Sequence, residues 1–273
     1  MKKENTIPSM YSPNNLMNYS WATEFICAYF PFDIFIDVGP GRAYSEAWLV
    51  RNIRPECTIL GFEPSPERFD MLRHIFYPGK LYNAAIAKNT GTMSGFICDS
   101  GAKNILPCFV QHAPKDSEDE LLQQTKDIDS ICIDGLLKGS PPETLAFVWA
   151  DVEGSELDVL QGMHDSALNN RVSGFLLELS MPNCEERAVG YNWKDLFLEA
   201  QNLGFSPVVF CNLQPTHFDC IFAYGHSPSS ESDTADFLHS VQQLYEEDPS
   251  SVPSFWIPGL SADEQGFENW DGD

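Results

Sequence analysis

The stretch from Phe32 to Glu63, FDIFIDVGPGRAYSEAWLVRNIRPECTILGFE, constrains this chain more than any other. An apolar run from Phe32 to Val38 carries Asp37 and stops at Gly39-Pro40-Gly41. A helix-like segment follows, with Ala43, Ala47, Leu49 and Val50 apolar and Glu46, Arg51 and Arg54 polar. A second β-type run, Cys57 to Phe62, ends in Glu63. The order is strand, glycine turn, helix, and a strand with an acid at its carboxyl end. Two parallel strands need a crossover of this kind, so the unit implies an open α/β sheet. Ligands of such sheets sit beyond the carboxyl ends of the strands. The glycines let the backbone approach a ligand closely, and Glu63 is placed to accept from the hydroxyls of an adenosine ribose.

What the turn lacks narrows the ligand. A dinucleotide fingerprint needs G-x-G-x-x-G beside a pyrophosphate, and the third glycine position here is Tyr44. No phosphate-cradling G-x-x-x-x-G-K-[ST] occurs in the chain. A nucleoside cofactor without phosphates, S-adenosylmethionine, needs only the D-x-G-x-G turn and the acid after the next strand. A glycine turn in a βαβ unit that holds no ligand is the bland alternative.

The chain has 273 residues, 43% apolar and 12% aromatic, enough for a sizeable core. Its formal net charge of −24 repels phosphate backbones and acidic membranes. Arg42, Arg51, Arg54, Arg68 and Arg73 are scattered along helices and form no basic patch. Direct nucleic-acid binding is therefore not expected, and no apolar run reads as a membrane span. The start, MKKENTIPSM, has no apolar region after its lysines, so it does not read as a secretory signal. The cysteines lie apart and show no zinc spacing, consistent with reduced thiols and a cytoplasmic location. No metal is assigned.

Three regions follow from the pattern: a helical lead-in over 1–31, a cofactor-binding domain over 32–224, and an acidic tail over 225–273 with one helix. Pro64-Ser65-Pro66 predicts a helix with Ser65 as N-cap and Pro66 in its first position. The segments Leu81–Ala87 and Thr92–Cys98, joined by Lys88-Asn89-Thr90-Gly91, read as a hairpin-like pair. Asp99–Asp127 reads as a long excursion over the carboxyl edge of the sheet. Leu145–Ala150 is an apolar strand ending in Asp151-Val152-Glu153-Gly154, followed by a helix with Ser155 as its N-cap, which repeats the strand, acid, glycine, helix order of the first motif. Strands follow at Val172–Leu179, Phe205–Cys211 and His217–Tyr224, the last pair antiparallel, with a helix over Asn192–Leu203. Beyond Gly225 no Lys or Arg occurs, and the helical period of Thr234–Glu246 stands within what reads as a loosely attached tail.

The blocks FIDVGPG, GFEPSPERFDML, NAAIAKNTGTMSGF, SICIDGLL, WADVEGSELDVLQGM and FLLELS, in that order, resemble the FkbM-type S-adenosylmethionine-dependent methyltransferases. The resemblance covers roughly Phe32 to Ser180, with weaker support to about Tyr224, and DVEGSELDVLQG is its most specific part. It implies a class I methyltransferase, Rossmann-like fold. That is a mostly parallel seven-stranded sheet with helices on both faces and an inserted antiparallel last strand. It also implies methyl transfer to an oxygen, often of a small-molecule or glycosyl acceptor. Carried onto this chain, it gives Asp37, Gly39 and Gly41 to the turn under the cofactor and Glu63 to the ribose. Asn83, Ala84 and Ala85 fall where adenine is contacted, and Asp151 and Glu153 become the candidate catalytic acids, with Glu178 third. Pro40-Gly41-Arg42, with no glycine at 43 to 45, departs from the family's usual turn.

Several alternatives stand beside these roles. Asp37 has a purely structural reading as a partner of the turn, and Glu153 one as a helix-positioning acid. At the level of the whole chain, a nicotinamide-dependent dehydrogenase is opposed by Tyr44. A non-catalytic binding module on the same fold is the other reading, prompted by the Pro40 turn and the acidic tail.

Overall fold

The computed structural model describes residues 18–40, 45–98, 108–110, 122–152, 154–181, 192–225, 231–249, 252 and 255–257. The Phe32–Glu63 stretch forms strand β1 (Ile34–Val38), helix α2 (Ser45–Ile53) and strand β2 (Thr58–Phe62), after a lead-in helix α1 (Asn18–Tyr29). Helix α3 (Pro66–His74) starts as its sequence predicts: Ser65 Oγ accepts from the Arg68 amide, and Pro66 takes the first turn, where no amide donor is required. Strand β3 (Lys80–Tyr82) closes one edge of the main sheet beside β2.

Strand β8 (Ala146–Ala150) pairs parallel to β1 on its other side, and β9 (Val172–Ser180) pairs parallel to β8. Strands β10 (Phe205–Cys211) and β11 (His217–Tyr224) form the expected antiparallel pair. The β11 strand lies between β10 and β9 and runs antiparallel to both. With β12 (Phe255–Trp256) on β10, the sheet has eight strands in the order β12-β10-β11-β9-β8-β1-β2-β3. The mostly parallel sheet with an inserted antiparallel strand is present, extended by one short edge strand.

Side-chain alternation along the strands divides the core into two layers. Ile34, Ile36, Val38, Val148 and Leu177 face a layer built with helices α4 (Ile133–Leu137), α5 (Glu156–Gly162), α6 (His164–Leu168), α7 (Trp193–Asn202) and α8 (Glu231–Glu247). Phe35, Ile59, Phe147, Trp149 and Leu176 face α1, α2 and α3. In β10 the register shifts between Pro207 and Val209, so Phe205 and Phe210 share one face despite their odd and even numbers.

Two expectations need correction. The hairpin between Leu81–Ala87 and Thr92–Cys98 does not form. The first of these segments splits into β3 and a short β4 (Ala85–Ile86). Strand β7 (Leu122–Ile131) then lies between β4 and β5 (Gly91–Cys98), giving a separate sheet of order β4-β7-β5-β6 with β6 at Cys108–Val110. The ten-residue β7 supplies a longer run of ladder bonds than the stub of β4 could offer β5. Nor is the region after Gly225 loosely attached where it is described. Leu238 and Val241 of α8 are fully buried, Phe237 stacks on Trp256 with ring centroids 4.1 Å apart, and Phe255 stacks on Trp21 of α1 at 4.8 Å.

Candidate active site

Strands β1, β2 and β8 end side by side, and the residue after each lines one open cleft. Those residues are Gly39, Glu63 and Asp151. Gly39 has φ of +79°, a conformation that glycine adopts without penalty. A Cβ there would lie 2.1 Å from the Asp151 carbonyl oxygen, so two strand exits meet where only a hydrogen fits. Backbone bonds lock the junction: the Gly39 amide donates to the Phe62 carbonyl at 2.9 Å and the Asp151 amide to the Val38 carbonyl at 3.1 Å.

Glu63 is buried, and its Oε1 accepts from the Ser65 amide at 2.8 Å. That bond orients the carboxylate at the mouth of α3. Pro64 and Arg68 continue this wall of the cleft. Asn83 does not line it. Its amide instead donates to the Glu63 carbonyl at 2.9 Å and the Pro64 carbonyl at 3.2 Å, fixing the backbone that carries the acid. Ala84 is buried, and the next two residues, Ala85 and Ile86, line the cleft with Met93 from β5. The second sheet thus supplies an apolar wall of which the sequence reading reached Ala85 but not Ile86 or Met93.

Asp37 lies behind the turn rather than in the cleft. It is buried on the α1–α3 face, where the Tyr77 hydroxyl donates to its Oδ2 at 2.6 Å. Burial raises its carboxyl to about 7, opposed by the Tyr77 bond and reinforced by the charge of Glu63. Burial beside Asp37 likewise raises the Tyr77 phenol well above its ordinary range. Gly41 and Glu153 lie outside the described residues. Glu178 is buried on β9 in register with Asp219 and is not a lining residue. Among the described residues, no group of three or more His, Cys, Asp or Glu is arranged to hold a metal ion.

Sequence reasoning overlooked three contributors. Tyr77 had one signal, the glycine inside β2 at Gly61 that makes room for it. Glu156 stands in the quoted DVEGSE block, and its Oε1 accepts from the amides of Val152 and Gly154 at 3.3 and 3.2 Å. It therefore ties down the loop that follows Asp151. Arg68 reaches the cleft from the first turns of α3, and nothing in its spacing foretold that.

The family model described as Methyltransferase FkbM domain matches residues 35–207, more than half of the chain. No curated protein matches it. Among solved structures, it is similar to the human methyltransferase 10 domain containing protein, at 14% identity over 81% of this chain and 85% of that one, with a TM-score of 0.40. A putative tRNA methyltransferase of Streptococcus pneumoniae, in complex with S-adenosyl-L-methionine, is similar at 11% identity over 83% and 86%, with a TM-score of 0.42. Precorrin-6y C5,15-methyltransferase from Geobacter metallireducens follows at 12% identity over 76% and 87%, with a TM-score of 0.38. These likenesses are too distant to carry chemistry across. No helix among the described residues is long and apolar enough to cross a membrane.

Proposed function

The chain belongs to the FkbM methyltransferase family, and from that premise we propose that it transfers a methyl group from S-adenosylmethionine to a hydroxyl of a small-molecule or glycosyl acceptor. The observation that carries this reading is the convergence of Gly39, Glu63 and Asp151 on one cleft. The cofactor suits the residues there. The cradle at Gly39 admits close backbone approach, Glu63 offers a carboxylate for ribose hydroxyls, and Ala85, Ile86 and Met93 offer apolar surface to a base. The sequence holds no G-x-x-x-x-G-K-[ST] phosphate loop, in keeping with a nucleoside lacking phosphates.

When bound, the cofactor supplies a methyl group on a positively charged sulfur, open to in-line displacement. The chain has to align an acceptor oxygen and remove its proton. Asp151 is the residue we assign to that proton. Its backbone is held against Val38, and the loop beyond it is held by Glu156, so the carboxylate has a fixed origin beside the turn.

Paired variants test the assignment by calorimetric titration with S-adenosylhomocysteine and by transfer of a radiolabelled methyl group to a panel of hydroxyl acceptors. E63A loses a charged acceptor, and its affinity for S-adenosylhomocysteine falls roughly tenfold or more. D151N keeps that affinity while kcat falls by about 10²-fold or more. Unchanged affinity in E63A overturns the cofactor site, and undiminished transfer by D151N overturns the base.

A further inference from the structure

Asp37 immediately precedes the two β1-exit residues that line the cleft, Val38 and Gly39. Its register neighbours are Gly61 on β2 and Trp149 on β8. The space above Gly61 is filled by Tyr77, whose ring would lie 2.6 Å from a Cβ at that position. Glycine inside a buried strand weakens the strand, and here it lets the phenol reach across β2 to the Asp37 carboxyl. Tyr77 is not itself a lining residue of the cleft.

We propose that Tyr77 is a positioning residue for the cofactor's charge: seated on Gly61, it donates to Asp37 under the Gly39 turn and favours its carboxylate form, and that charge favours the cationic methyl donor over its neutral thioether product. This rests on the methyl-donor reading above and extends it to product discrimination. S-adenosylmethionine and S-adenosylhomocysteine share their adenosine and amino-acid parts and differ by the methyl group and the sulfonium charge. A buried carboxylate acts on such a charge across several ångströms with little screening.

The groups around Asp37 leave it poised to respond. Tyr77 donates to it, Glu63 stands at the end of β2, Glu46 sits in the first turn of α2 near Tyr77, and Asp151 follows β8, while Arg68 lines the cleft from α3. With burial and Glu63 raising Asp37 to about 7, it titrates near neutrality. An arriving cation stabilises the ionised form, so preference for the donor over the product rises as Asp37 loses its proton.

Calorimetric titration of the whole chain with each ligand between about pH 6 and pH 8 reads this directly. If the donor lowers Asp37 by about one pK unit, the donor-to-product affinity ratio rises by up to roughly tenfold over that range. In D37N the ratio is flat apart from the ligands' own titration, which the comparison removes. In Y77F, which keeps the ring on Gly61, the midpoint moves to higher pH because a bond favouring the carboxylate is gone. A wild-type ratio that matches D37N across the range overturns the proposal, and so does a Y77F midpoint equal to that of the wild type. Thermal melts establish that each variant is folded, and Y77F decides the question without D37N. If neither ligand binds the wild type at any pH, the methyl-donor reading itself falls, and this inference with it.

Discussion

At the scale of single residues, the tension in this molecule sits at Asp37, a buried acid flanked by Trp149 and bonded to a phenol. Its carboxyl is raised from 3.8 to about 7, so the folded chain holds this proton more tightly than the unfolded chain does. Stability from this group is therefore fully present below about pH 4 and declines as pH rises toward 7, where the folded form ionises too. Asparagine has the same shape and no charge to bury. D37N is expected to match the wild type in acid and to exceed it above pH 7, by on the order of 2–4 kcal/mol. Chemical denaturation at about pH 4.5 and pH 8 measures the difference. A D37N advantage that is the same at both pH values would contradict the burial argument. A residue that costs stability at neutral pH is the kind of residue a binding site retains, which agrees with the electrostatic role proposed for it.

Among the elements, the connection from β8 to α5 has the most to explain, because DVEGSE reads from sequence as a pair of acids before a helix. In the structure the third acid organises the stretch. Glu156 is buried and folds back from the first turn of α5 to the amides of Val152 and Gly154, and Gly154 takes φ of +103° to make the bend. Ser155 occupies the cap position without a side-chain cap bond. E156A leaves those amides without this acceptor, at a cost of about 1–3 kcal/mol, and lets the Asp151 backbone wander. Methyl transfer is expected to fall by roughly tenfold to a hundredfold, while E156Q, which keeps a carbonyl oxygen in place, recovers most of it. Equal activity in E156A and wild type would show that the loop needs no such anchor. The same stretch marks how far the site was legible. Gly39, Glu63 and Asp151 follow from strand ends, because a parallel sheet delivers whatever comes after each strand to one edge. Met93 lines the cleft through tertiary packing, while Tyr77 and Glu156 act from behind it on Asp37 and on the loop after Asp151, and none of the three has a sequence period to betray it.

For the molecule as a whole, the central strands were readable because buried parallel strands are continuous apolar runs, as at Phe32–Val38 and Leu145–Ala150. The second sheet was not, since β5 and β7 carry polar residues such as Ser94, Lys126 and Asp127, and their partner choice depends on register rather than on hydrophobicity. The segment after Gly225 misled for a related reason. The helical period of Thr234–Glu246 carries the apolar stripe of Leu238 and Val241, but the acidic, serine-rich residues around it give no sign that this stripe closes the layer over β10 and β11. Those two side chains are worth about 1.5–3 kcal/mol each by burial alone, before the Phe237–Trp256 and Trp21–Phe255 stacks are counted. A chain ending at Gly225 also strips β12 from β10 and leaves a long apolar strand, Phe205–Cys211, at an open edge. The truncated chain is expected to aggregate or to melt without a cooperative transition. In the full chain L238A alone lowers stability by roughly 2–5 kcal/mol. Thermal melts followed by circular dichroism, with light scattering for aggregation, measure both. A truncated chain that melts cooperatively at the wild-type temperature would return this segment to the status of a tail, and the acidic C-terminal region would then owe the sheet nothing.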